Sequence, residues 1–151
     1  MCSSDLEYAV VGAGTPVVVL HGSPGGIDAA ALMAGFLPRD RISAILLSRP
    51  GYLGTELGNR ATIDQQADLL AALLDHLRIG RTGVLSWSGG GPAGYRLAVR
   101  HPDRVDAIVA FAAVSRVGCH NVGMVLGQWF QAAVSYSLMS PPRIGRRRIL
   151  P

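Results

Sequence analysis

Apolar residues fall along this chain in two alternating arrangements. Residues 6–11, 16–20, 43–47, 82–87 and 105–114 form short, nearly continuous apolar runs, the pattern of strands buried on both faces. Between them lie segments of helical period. Residues 27–37 are apolar with small side chains and are closed by Pro38. Ile63, Ala67, Leu70, Leu73, Leu74 and Leu77 recur at helical spacing behind a capping-box pair, Thr62 and Gln65. Residues 89–100 predict a further helix that ends at His101-Pro102. Buried strands alternating with amphipathic helices predict an α/β fold with a mainly parallel, doubly wound sheet, and ligands at the carboxyl ends of its strands. The glycines of Gly12-Ala13-Gly14 precede the stronger strand and lack a third partner, so they predict a tight turn and not a dinucleotide loop.

Composition narrows the function classes. At 151 residues, 49% hydrophobic and 16% charged, the chain has the size and make-up of one globular domain. All 14 basic residues are arginine, and four of them, Arg143, Arg146, Arg147 and Arg148, crowd the tail. The formal charge of +4 therefore belongs to that tail. No basic face with interleaved aromatics is present, and nucleic-acid binding is not expected. Residues 121–142 carry no charge, but Gln128 and Gln131 near their centre argue against a stable membrane span. Cys2 and Cys119 have no metal or redox spacing, and the start MCSSDLEYAVVGAG has neither a basic stretch nor a long apolar one. A cytoplasmic protein without metal or cofactor is expected.

Three glycine-containing loops follow three strands: HGSPGG at 21–26, RPGYLG at 49–54 and SWSGGG at 86–91. The last offers two serines. A nucleophile held in a strained turn between strand and helix needs small residues two before and two after it. Ser88 has Ser86 and Gly90 in those places, whereas Ser86 would have Val84, so Ser88 is the candidate nucleophile. Its place at a helix start would aim backbone N–H groups at a developing oxyanion. Gly89 is one natural donor, and Ser23, beyond His21-Gly22, is the expected second.

These motifs, in this order, resemble the α/β-hydrolase family. HGSPGG is similar to the HGxP oxyanion loop of its esterase, epoxide hydrolase and proline iminopeptidase-like branches. SWSGGGP with HPDRVDAIVAFAA resembles the elbow, its helix and the strand beyond. Ser86 stands where the family's GxSxG pattern has glycine. The resemblance implies a serine-type hydrolase of ester, amide or related acyl bonds, with a small-molecule acyl substrate. It assigns His21, Gly22, Ser86 and Gly90 structural parts in the loops, so that His21 is not the base. It further implies an N-terminal part of the core at 1–115, lacking the last strands, and the start of a helical cap at 116–142, while the basic tail at 143–151 resembles nothing in the family pattern.

The family's acid and histidine follow the nucleophile in sequence. Here no Asp or Glu occurs after Asp106, and only His101 and His120 follow Ser88. His101 is expected about 18 Å away, at the far end of the elbow helix. His76 and His101 are expected to be solvated, and His120 has no carboxylate near it in sequence. The chain is therefore expected to be incomplete and a poor catalyst. The alternative is a noncatalytic, degenerate hydrolase that binds a ligand or partner, with self-association through an unfinished sheet edge.

Overall fold

The computed structural model describes residues 6–115 and 147–149. Six strands, β1 (Leu6–Val11), β2 (Thr15–Leu20), β3 (Ile42–Leu47), β4 (Thr82–Trp87), β5 (Val105–Phe111) and β6 (Arg147–Ile149), form one sheet in the order β5-β4-β2-β3-β1-β6. The pairs β2–β3, β2–β4 and β4–β5 are parallel, while β1 runs antiparallel to both β3 and β6. Three helices, α1 (Ile27–Ala34), α2 (Ile63–His76) and α3 (Gly91–Arg100), cover it. The expected mainly parallel α/β architecture is what forms.

The continuous apolar runs have a two-sided explanation. Side chains alternate across a strand, so Val18 and Leu20 of β2 enter one core and Val19 the other. The first core combines Leu6, Ile45, Leu47 and Val84 with Leu70, Leu73 and Leu74 of α2 and Leu97 of α3. The second packs Val19, Ala44 and Leu46 against Ile27, Ala30 and Met33 of α1. A sheet covered on both faces leaves no polar side for its central strands.

Local signals set most boundaries. The Thr62 side chain accepts from the Gln65 amide at 3.2 Å and the Gln65 side chain accepts from the Thr62 amide at 3.1 Å, so the capping box that opens α2 is complete. Helix α1 ends at Ala34, three residues before the expected stop. Phe36 and Leu37 instead make tighter bonds to the carbonyls of Met33 and Ala34.

The structure settles one strand order and corrects one further expectation. Strands β1 and β2 follow one another through a tight turn but are not partners, because β3 lies between them. The turn is anchored on the start of β3, with the Ala13 and Thr15 amides donating to the Arg39 and Arg41 carbonyls at 3.0 and 2.8 Å. Strand β5, read as buried to residue 114, stops at Phe111, followed by Ala112 at φ 46°. It is an edge strand among the described residues, and Val109 and Phe111 are exposed. Three residues of the basic tail form β6 on the outer edge of β1. The expected cap segment, with Cys119 and His120, lies outside the described residues, as does Cys2.

Candidate active site

The chain passes from β4 through Ser88 into a single 3₁₀ turn, Ser88–Gly90, and on into α3. Ser88 adopts φ 46°, a left-handed conformation that costs a non-glycine residue about 1–2 kcal/mol. Its surroundings hold it there. The Val114 amide donates to the Ser88 carbonyl at 2.8 Å. A Cβ on Gly90 would lie 2.6 and 2.7 Å from the carbonyl oxygens of Leu20 and His21, so only glycine lets the turn press against the end of β2. A Cβ on Gly22 would lie 2.9 Å from the Ser88 Cβ. The residue two before Ser88 is constrained too. Ser86 is fully buried where α3 crosses β4, and a Cβ on Gly94 would sit 3.5 Å from its own Cβ. Its hydroxyl finds no partner among the described residues.

The HGSPGG loop lies against this turn. A Cβ on Gly89 would stand 3.0 Å from the Ser23 Oγ and 3.6 Å from the Ser23 amide nitrogen, so Ser23 and Gly89 are brought together. The Ser23–Pro24 peptide bond is cis. His21 is fully buried and bridges two loops. Its Nε2 accepts from the Arg49 amide at 2.9 Å, which puts the proton on Nδ1, where it is donated to the Gly22 carbonyl at 2.7 Å. Burial lowers its pKa from 6.5 to about 4, and the positive charge of Arg49 acts in the same direction. Both ring nitrogens are spent on backbone groups.

The other histidines are engaged elsewhere. His76 Nε2 lies 3.2 Å from the Tyr8 hydroxyl. His101 caps α3 and bonds Asp68 at 2.8 Å, beside the Arg100–Asp68 ion pair, so its expected solvation is only partial. The Arg100 and His101 side chains hold the Asp68 carboxyl down at about 2.

Two groups escaped the sequence reading because their roles depend on contacts made at long range. The first is Glu7, buried in β1. Its carboxylate accepts from Ser48 Oγ at 2.6 Å and from the Gly54 amide at 3.1 Å, while Ser48 Oγ accepts from the Ile27 amide at 2.9 Å. This network ties the 49–54 loop to the start of α1. The second is the pair Arg49 and Tyr52. The Tyr52 hydroxyl is hydrogen-bonded to Ser23 Oγ, and its ring meets the His21 ring edge-on at 4.8 Å. The Arg49 guanidinium lies over the Tyr52 ring at 4.9 Å, and its Nη2 donates to Ser23 Oγ at 3.4 Å. Arg49 is only 7% exposed, its Nε has no partner, and no carboxylate within 4 Å pairs with it among the described residues. Burying a cation costs several kcal/mol, and a cation–π contact returns about 1–2 of them. Burial also lowers the Arg49 pKa. The motif RPGYLG was legible as a loop; that its arginine turns inward was not.

Among the described residues there is no cluster of His, Cys, Asp or Glu able to hold a metal, and no helix is long and apolar enough to cross a membrane.

The fold thus sets Ser88 on a strand-to-helix turn against the HGSPGG loop, at the carboxyl edge of the parallel strands, where sheets of this kind bind ligands. The family model for the alpha/beta hydrolase fold matches residues 15–140, and the chain belongs to that family. It is 33% identical over 111 residues to an uncharacterized hydrolase, YcgS, of Bacillus subtilis, covering 74% of this chain and 39% of that protein. It is 31% identical over 113 residues to haloalkane dehalogenase 2 of Mycobacterium bovis, covering 69% and 37%. An alpha/beta hydrolase fold protein from Nakamurella multipartita superposes with a TM-score of 0.72 at 48% identity, covering 88% of this chain and 48% of that one. The chain thus spans about two-fifths of the curated relatives it matches and about half of that solved structure.

Proposed function

We propose that the protein is a serine-type hydrolase of ester, amide or related acyl bonds, with Ser88 as nucleophile. The left-handed Ser88 carries this reading, because a non-glycine residue held in that conformation on a strand-to-helix turn is the backbone a nucleophile elbow requires. Ser88 Oγ attacks the carbonyl carbon and gives up its proton to a base. The carbonyl electrons move onto oxygen, which accepts hydrogen bonds from the Ser23 and Gly89 amides. Collapse expels the leaving group, and water hydrolyses the acyl-serine. None of the described histidines is placed to act as the base: His21 is spent on backbone groups, and His76 and His101 bond Tyr8 and Asp68. The base and its orienting acid are therefore assigned to groups outside residues 6–115. Without them kcat falls by several orders of magnitude, leaving the oxyanion hole and binding.

The test is covalent labelling of the purified chain with a fluorophosphonate, mapped by mass spectrometry. The label is expected on Ser88, slowly and under excess reagent because the described residues supply no base, lost in Ser88→Ala and kept in Ser86→Ala, with p-nitrophenyl acetate turnover near background. Absence of label from Ser88 under excess reagent overturns the nucleophile and favours a noncatalytic binding protein. The edge of β5, unpaired among the described residues, supports self-association of the chain.

A further inference from the structure

Arg49 is a buried cation that has no anion partner among the described residues and adjoins the elbow. Its backbone is fixed, since the amide is held by His21 Nε2. Its guanidinium is fixed as well, stacked on Tyr52 and touching Ser23 Oγ. Its Nη2 stands 3.6 Å from the point where a side chain on Gly89 would begin, and the Ser23 amide stands the same distance from that point. The cation thus adjoins the two residues whose amides would hold a carbonyl oxygen. Buried charges in proteins are paired, and the described residues supply no carboxylate for this one.

We propose that Arg49 binds a carboxylate on the substrate, a few bonds from the scissile carbonyl, so that the site selects short acyl compounds bearing a free acid over neutral ones. This rests on the acyl-hydrolase reading for the identity of the carbonyl, but not for the binding of the anion. The planar fork of arginine suits a carboxylate in two-point contact, and its partial dehydration is already met in the fold. Tyr52 contributes by holding the guanidinium face and the Ser23 hydroxyl together, and the loop after β3 thereby becomes a specificity element.

The probes are monomethyl succinate and its neutral counterpart dimethyl succinate. Their binding is followed by NMR chemical-shift titration of the full chain, both unaltered and as Ser88→Ala. The monoanion is expected to bind at least 10-fold more tightly in both proteins, with the preference falling as salt is raised. Arg49→Met is expected to abolish the preference and Arg49→Lys to keep part of it. In case Arg49→Met fails to fold, the unaltered chain supplies an independent readout. Modification of Arg49 by phenylglyoxal, located by mass spectrometry, is expected to be slowed by monomethyl succinate and not by dimethyl succinate. Equal affinity for the two esters, a preference that survives Arg49→Met, or an Arg49 that resists phenylglyoxal without ligand because another group of the chain occupies it, overturns the proposal. Anion selectivity in Ser88→Ala without fluorophosphonate labelling of the unaltered chain sinks the nucleophile and leaves Arg49 standing; the converse result does the opposite.

Discussion

Acidification puts a demand on His21 that the folded chain resists. In the native state the ring is fully buried, its Nε2 accepts from the Arg49 amide, and a proton there would remove that acceptor and place a second cation beside the Arg49 guanidinium. The folded pKa is about 4 against 6.5 for a free imidazole. Because the unfolded chain binds this proton first, stability rises with pH between those values. The contribution is fully present above pH 6.5, is lost progressively as the pH falls toward 4, and does not change further below. At 1.36 kcal/mol per pH unit the difference amounts to about 3 kcal/mol, a substantial part of the 5–15 kcal/mol typical of a domain. Urea unfolding at pH 7.5, 6.5, 5.5 and 4.5, for the unaltered chain and for His21→Gln, isolates it, since other titrating groups cancel in the comparison. The unaltered chain is expected to lose about 2.5 kcal/mol more than the variant across this range, most of the full difference. If the variant proves too unstable to compare, the imidazole of His21 can be titrated directly by NMR, with a midpoint expected near 4. Parallel pH dependence in the two proteins, or a midpoint near 6.5, refutes the account of His21 as a neutral bridge.

Four further outcomes follow from the same structure. Ser88→Gly relieves the left-handed strain and is expected to raise stability by about 1 kcal/mol in urea unfolding while abolishing fluorophosphonate labelling. Gly90→Ala puts a Cβ against two backbone carbonyls that cannot move aside, and a loss of about 2–3 kcal/mol is expected by the same assay. Ser86→Ala removes a buried hydroxyl without a partner and keeps the Cβ packing, so a gain of about 1 kcal/mol is expected. Val109→Lys places a charge on the exposed edge strand and is expected to reduce self-association, measured by sedimentation velocity.

Much of the frame was legible in residue order, because the signals involved are local. The bounds of β4, the capping box at Thr62 and the start of α3 depend on neighbours within a few positions. The choice of Ser88 over Ser86 followed from bulk two residues away, and the packing at Gly90 and Ser86 supplies the steric reason. Even so, local pattern misjudged the extent of α1 and β5, and it could not say that β3 would separate β1 from β2. Strand order is set by which apolar faces bury together, a property of the whole sheet.

The sequence by itself thus determined the fold class and the three loops, and it singled out Ser88 as the candidate nucleophile, all of which arise from periodicity, turn chemistry and steric limits on adjacent residues. Only the tertiary structure decided what those loops do to one another. It made His21 a neutral bridge with both nitrogens spent, turned Glu7 into a buried anchor, and left Arg49 as an inward-facing cation beside Ser23 and Gly89. Residues 21 and 23, residues 49 and 52, and residue 89 lie in three loops far apart along the chain, and the chemistry of each is set by burial and by partners that meet only when the strands align.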